Sequence, residues 1–213
     1  MALRKINEDN NNWISYTDLM TGFLIIFIIL TLVMYFNLRN KVSELEITLS
    51  EYIKIEEIKS AINSLDTNYF KYDSIYKKHI VNVDVNYKTG SFDIRTLNKV
   101  KRNELVKVGK RIDLLLDKLN KDSITKKYNI KFLIVVEGQA SKDFFPGNDV
   151  LSYKRALGLK ELWINNGLDF SKRDNCELII AGSGTGGVPR EKKESKNKRF
   201  LIQIIPKIGI IDE

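Results

Sequence analysis

Residues 19–38 include no charged side chain, and most positions there are Leu, Ile, Phe, Val or Met. A helix needs roughly 20 such residues to cross a bilayer core. This run therefore constrains the chain more than any other feature: it spans a membrane, or it is a leader that is removed. Leader segments hold about 7–15 apolar residues and close on a small-residue cleavage site. Here the run is longer and passes into Tyr35-Phe36-Asn37-Leu38-Arg39 with no Ala-x-Ala pattern. The expectation is a retained membrane helix over 13–38, with Trp13 and Tyr16 at one interface and Tyr35 and Phe36 at the other. Arg4 and Lys5 precede it, while Arg39, Lys41 and Lys54 follow. Charge thus does not orient the helix, and a large C-terminal domain translocates largely regardless of that count.

The flanks read differently. Residues 1–12 are polar and rich in asparagine (Asn7, Asn10, Asn11, Asn12) and read as a short flexible tail. Over 39–78 the pattern turns amphipathic and helical, a linker with the spacing of a dimerising or plug segment. Val42, Leu45, Leu49 and Tyr52 step by heptad intervals, and Ile55, Ile58, Ile62 and Leu65 repeat them after a slip. Such a helix pairs with a second copy, or lies against its own domain or the membrane surface; the spacing alone leaves these open. Residues 66–78 are polar and tyrosine-rich and read as the end of the linker.

From residue 79 to 213 the periodicities alternate. Val81, Val83, Val85 and Tyr87 point one way, with Asn82, Asp84 and Asn86 the other, as in a half-buried strand. Lys88-Thr89-Gly90-Ser91 supplies a turn, after which Phe92 and Ile94 resume the apolar side. Leu105, Val108, Ile112, Leu115, Leu116 and Leu119 form a helical stripe. Residues 131–136, 176–181 and 200–205 read as strands, and 150–165 as a second helix. The order βαβαββ predicts an α+β domain with helices on one face of the sheet, and 80–207 is long enough for an independent core.

Composition narrows the chemistry. The single cysteine, Cys176, excludes an internal disulfide and a Cys-rich metal site. The 35 Lys and Arg against 27 Asp and Glu give a net charge of +8. With a membrane helix present and no nucleic-acid motif, that excess suits an anionic wall or membrane surface. Gly182-Ser183-Gly184-Thr185-Gly186-Gly187 matches G-x-G-x-x-G in form, but Val188-Pro189 and a lysine-rich stretch follow where a dinucleotide site needs a helix. It reads as a flexible loop. His79, the only histidine, has no Cys or Ser partner in the sequence. No catalytic constellation is visible, and the chain does not read as an enzyme.

Asp18 is the sharpest site feature. At about 1.5 Å per residue it sits on the order of 8 Å along the helix from Trp13. A carboxylate at membrane depth is costly unless it pairs, meets water or is neutralised, so such residues mark ion pathways. The rival reading is that Asp18 only marks the polar end of the helix, or caps it through Thr17 and Asp18 oxygens. Position alone leaves both open.

The run Trp13-Ile14-Ser15-Tyr16-Thr17-Asp18-Leu19-Met20-Thr21 resembles the B subunits of proton- or sodium-driven motors. These are the flagellar stator MotB and PomB proteins and the ZorB proteins of the Zorya anti-phage system. The resemblance implies that Asp18 carries the ion, H⁺ or Na⁺, as a surrounding ring of multi-span A subunits turns. Thr21, one turn on, lies on the same face and assists. Gly22 stands where flagellar proteins continue with bulky leucines, which leans toward the Zorya branch. The implied molecule is a dimeric, single-pass inner-membrane protein without a cofactor, its N-terminus cytoplasmic and its C-terminal domain periplasmic. A flagellar stator B subunit and a passive wall tether are the alternatives.

The C-terminal part resembles the OmpA-like peptidoglycan-binding domain. Asn148-Asp149-Val150-Leu151-Ser152-Tyr153-Lys154-Arg155-Ala156 matches that family's Asn-x-x-Leu-Ser-x-x-Arg-Ala, and Asn197-Lys198-Arg199-Phe200 its entry to the last strand. The resemblance implies that Asn148 caps the helix or faces a ligand, that Leu151 and Arg199 belong to the site, and that Arg155 offers a planar fork to a stem-peptide carboxylate. One departure is plain. Where the family has Gly-His-Thr-Asp, whose Asp holds the peptide's amino group, this chain has Gly138-Gln139-Ala140-Ser141. The charge pairing is lost unless Asp143 or Asp149 supplies it, with Ser141 left to make a hydrogen bond.

Overall fold

The computed structural model describes residues 2–207, with side chains described for 13–46, 48, 49 and 52–207. The chain divides after Ile53 into two compact units. Helix α1 (Ala2–Asn63) contains no proline and a single glycine, Gly22, so nothing in it interrupts the hydrogen-bond ladder. In the first unit the stretch Trp13–Glu46 is long and apolar enough to cross a membrane, its most apolar 18-residue window having a mean hydropathy of 2.6 with none of that window buried. The backbone is already helical at Ala2, a correction to the flexible tail read over 1–12. Asparagine lowers helix propensity only modestly, and extending an existing helix adds one hydrogen bond for each residue fixed.

The second unit begins inside α1. Ile58, Ile62 and the following Leu65 are buried and belong to the same core as Leu119 and Ile124. The second heptad run is therefore spent within the domain. Val42, Leu45, Leu49 and Tyr52 of the first run are exposed.

Strands β1 (Phe70–Asp73), β2 (Lys78–Val81), β3 (Lys131–Gln139), β4 (Cys176–Gly182) and β5 (Arg199–Lys207) form one sheet in the order β1-β2-β5-β3-β4. All neighbours are antiparallel except β3 and β4. β1 lies where a linker was expected. Asp73 makes the turn behind it, its Oδ1 accepting from the Ile75 and Tyr76 N–H groups at 3.1 and 2.9 Å. The expected strand over 81–87 is shorter in the fold, because β2 ends at Val81. Val83, Val85 and Tyr87 are nonetheless buried and their polar neighbours exposed. The alternation reported burial, not a paired strand.

Helix α2 (Lys99–Lys121) is capped by Asn98, whose side chain accepts from Lys101 N–H at 2.8 Å, and it buries Leu105, Val108, Ile112, Leu116 and Leu119. The short α3 (Ser123–Lys127) follows, capped by Asp122. Helix α4 (Asn148–Ile164) crosses between the parallel β3 and β4, the connection that such a pair requires. It seats closely on the strand ends. A Cβ on Gly138 would strike the Ser152 carbonyl, and one on Gly182 the Tyr153 backbone. At its far end Trp163 donates to the Leu105 carbonyl at 2.8 Å and meets Phe170 edge-on. The observed architecture is α+β: a long apolar helix, a helical linker and a five-stranded sheet whose α2 and α4 share one core with it.

Candidate functional site

The loop joining β3 to α4 carries Ser141, Asp143 and Phe145, and it is folded around one carboxylate. Asp143 Oδ1 accepts from Asn148 Nδ2 at 3.1 Å and from the Phe145 N–H at 3.2 Å. Its Oδ2 accepts from the Ser141 hydroxyl at 3.0 Å. Partial burial pushes the Asp143 carboxyl up, but these bonds and the nearby Lys198 outweigh it and hold the group below its usual range. Asn148 also donates to the Phe145 carbonyl at 2.8 Å. It is the first residue of α4 and not its cap, a position taken by Gly147 without any side-chain bond. That corrects the capping option for Asn148.

Arg155 lies two turns further along α4 and is 2% exposed. Its Nε and Nη2 donate to the Ser91 carbonyl at 3.0 and 2.9 Å, and its guanidinium sits 4.6 Å over the Tyr87 ring. Burial lowers its pKa, while Tyr87 and Asp143 act to hold the proton. Burial likewise pushes the Tyr87 hydroxyl up. Leu151, buried between Asn148 and Arg155 in sequence, anchors the helix that presents both.

Three polar atoms here are buried with no hydrogen-bond partner among the described residues: Arg155 Nη1, Tyr87 OH and Asn148 Oδ1. Each such atom costs about 1–3 kcal/mol when nothing satisfies it. A donor, a hydroxyl and an acceptor, with Asn148 also bonded to the Asp143 carboxylate, are the groups that a zwitterion would complete. A ligand carboxylate would accept from Arg155 and Tyr87; a ligand ammonium would donate to Asp143 and Asn148.

The remaining expected residues fall elsewhere. Arg199 is 7% exposed and committed to the loop after β4, donating through Nε to Gln139 at 2.9 Å and through Nη2 to the Pro189 carbonyl at 2.9 Å. Burial lowers its pKa, against the pull of Glu191. Its neighbour Lys198 is the cation that reaches the site, donating to the Tyr87 carbonyl at 3.4 Å. Arg199 opens β5 and pairs with Gln139 across the sheet, whereas Lys198 lies just before the strand. Asp149 packs against Gly184. The glycine-rich stretch is not a loose loop. Gly184 N–H donates to Ser152 Oγ at 2.9 Å, its carbonyl accepts from Ala140 N–H at 2.8 Å, and Ser183 N–H binds the Gly138 carbonyl at 3.0 Å. Sequence reasoning missed Tyr87, Ser91 and Lys198. The inward phase of Tyr87 was visible but reads the same for any core aromatic.

On α1, Asp18 and Thr21 are both exposed. Thr21 Oγ1 donates to the Thr17 carbonyl at 2.7 Å, and Thr17 Oγ1 to that of Trp13 at 2.9 Å. Both hydroxyls keep lone pairs that can accept. Because α1 begins far upstream, Asp18 lies within the helix and does not cap it. Among the described residues no cluster of three His, Cys, Asp or Glu side chains is placed to hold a metal.

No family model matches the sequence, and no curated protein matches it. Among solved structures, the chain is similar to a periplasmic domain of Helicobacter pylori MotB, at 14% identity over 68% of this chain and 91% of that one, with a TM-score of 0.40. A putative MotB-like protein of Desulfovibrio vulgaris is similar at 10% identity over 77% and 98%, with a TM-score of 0.39. The OmpA-like domain of FopA1 from Francisella tularensis is similar at 22% identity over 65% and 79%, with a TM-score of 0.33.

Proposed function

We propose that the chain is a wall-anchored, single-pass inner-membrane protein whose C-terminal domain binds the peptide stem of peptidoglycan. One observation carries this: Arg155 Nη1, Tyr87 OH and Asn148 Oδ1 are buried without partners among the described residues, Arg155 stacked on Tyr87 and Asn148 bonded to ionised Asp143. A stem-peptide residue bearing both an amino and a carboxylate group matches that set, and the wall would place the domain in the periplasm. Asp143, braced by Ser141, takes over the amine-holding role that the missing acid would otherwise play.

The finer reading is an ion-driven motor B subunit. Asp18 carries H⁺ or Na⁺ within a ring of A subunits, two copies pair through their membrane helices and the exposed 42–52 heptads, and the motor serves a Zorya-type defence system. The Asp18 motif and the departure at Gly22 support it. A passive tether shares the wall site and differs only in needing no charge at Asp18.

The test is calorimetric titration of the full chain in detergent with a soluble stem peptide carrying a free amine and carboxylate. Amidating the carboxylate removes the Arg155 contact, and acetylating the amine removes the Asp143 contact. Each modification is expected to weaken binding at least tenfold, about 1.4 kcal/mol. Equal affinity for all three peptides contradicts the assignment.

A further inference from the structure

The last turns of α1 enter the core of the sheet domain through Ile58 and Ile62, and a polar contact reaches them from β2. His79 Nε2 lies 3.0 Å from the Ile62 carbonyl, which belongs to the final turn of the helix, where carbonyls lack helical partners. His79 is 2% exposed. The Tyr72 ring stands 4.9 Å from it and the Phe70 ring 6.0 Å. Its Nδ1 is buried with no hydrogen-bond partner among the described residues. Only one tautomer suits this arrangement, with the proton on Nε2 donated to Ile62 and a bare lone pair on Nδ1.

A second proton, on Nδ1, would place a full charge in that buried position, with the Ile202 carbonyl at hand to accept from it. The surrounding charges do not welcome it. From α1, Glu56 faces the same cleft of about 540 Å³ but is paired with Lys59 at 2.6 Å. The turn after β1 contributes Lys77 and β1 contributes the neutral Tyr72, while β5 contributes the neutral Gln203. Lys78, next to His79 on β2, is bound to Glu137 at 2.5 Å. Among these groups the one anion facing His79 is already neutralised, and Lys77 adds positive charge.

We propose that His79 is an acid-sensitive latch: neutral, it clamps the 58–65 segment to the sheet, and protonated, it releases that segment. The helix end would then convert from a docked stalk to an extensible tether between the apolar helix and the sheet domain. Burial supports this by lowering the His79 pKa from its ordinary 6.5, against the opposing pull of the Ile62 and Ile202 carbonyls. Docking is therefore at full strength above 6.5, and it weakens as pH falls through the lower value, because the released state takes up the proton first.

Hydrogen exchange of the full chain in detergent micelles, at about pH 7.5 and about pH 5.5, tests the latch after correction for intrinsic exchange. Amides of 58–66 are expected to lose protection about tenfold on acidification, the equivalent of one pH unit of linkage. His79→Gln, whose amide can still donate to Ile62, is expected to keep its protection at the lower pH. Equal protection of the wild-type segment at both values overturns the proposal, as does a His79→Gln chain that loses protection on acidification just as wild type does. A ring-proton titration of the wild-type chain, unambiguous with one histidine, decides the matter without a variant. A midpoint below 6.5 that coincides with release supports the latch, and a midpoint at or above 6.5 overturns it.

Discussion

Arg155 lies 4.6 Å over the ring of Tyr87, and each of the two residues presents one buried polar atom that nothing in the described chain satisfies. The stacking fixes the guanidinium plane, and the two bonds to the Ser91 carbonyl fix its rotation. What remains is the Nη1 amino group and a hydroxyl, buried at a desolvation cost.

Tyr87→Phe separates stability from binding. Removing the unpaired hydroxyl should leave the melting temperature unchanged or slightly raised, because an unsatisfied buried group is lost with no partner abandoned. Stem-peptide affinity should fall about five- to tenfold, the worth of one hydrogen bond. Thermal unfolding and calorimetric titration on the same preparation check both halves.

Ser141 acts through Asp143, to which its hydroxyl donates at 3.0 Å. Ser141→Ala should weaken peptide binding by roughly fivefold, about 1 kcal/mol, with no loss of secondary structure. Asp143→Asn removes the charge itself and should weaken it more. If titration shows Ser141→Ala to be the more damaging change, the positioning role assigned to Ser141 is wrong.

The pH profile follows from Asp143. Its folded pKa is depressed below the ordinary 3.8, so its contribution is complete above 3.8 and is lost as pH falls through the lower folded value. Amine binding should therefore stay flat from neutral pH down to about 4, apart from any titration of the peptide. Peptide affinity measured across that range checks this, and a fall centred well above 4 would implicate another group.

Gly109→Ala sets two effects against each other. Alanine improves helix propensity by about 1 kcal/mol. A Cβ at that position, however, would lie 2.7 Å from Trp163 Nε1, and overpacking costs about 1–3 kcal/mol. The Trp163 bond to Leu105 is displaced in the same move, so packing should win. A lower midpoint in thermal unfolding of the full chain is expected.

Asp18→Asn keeps the size and removes the charge. If Asp18 carries the ion, the variant should assemble in the membrane with its A-subunit partner and show no ion-driven activity. Retention of full activity favours the passive tether.

Much of the architecture is legible in the amino-acid sequence. The uncharged run at 19–38 needs only composition, and the order of helices and strands from α2 onward follows from apolar spacing. Elsewhere the sequence carries the physics without its geometry. The alternation from Val81 to Tyr87 records burial, and only the fold shows that β2 ends at Val81. The heptads at 55–65 look equal to those at 42–52, yet one run enters the core and the other is exposed. Arg199 and Lys198 differ by one position across the start of a strand whose boundary no local pattern fixes. Ser141 reads as a missing acid, because the bend that returns Asp143 onto Ser141 and Asn148 depends on where α4 starts.

Co-sedimentation of the detergent-purified chain with isolated peptidoglycan sacculi tests wall binding most directly. The wild-type chain should pellet with the wall, while Asp143→Asn and Arg155→Lys, the latter keeping its charge but losing the planar fork, should remain in the supernatant with unfolding midpoints near wild type. Wild-type chain left in the supernatant, or both variants pelleting as wild type does, contradicts the assignment of this site to the wall.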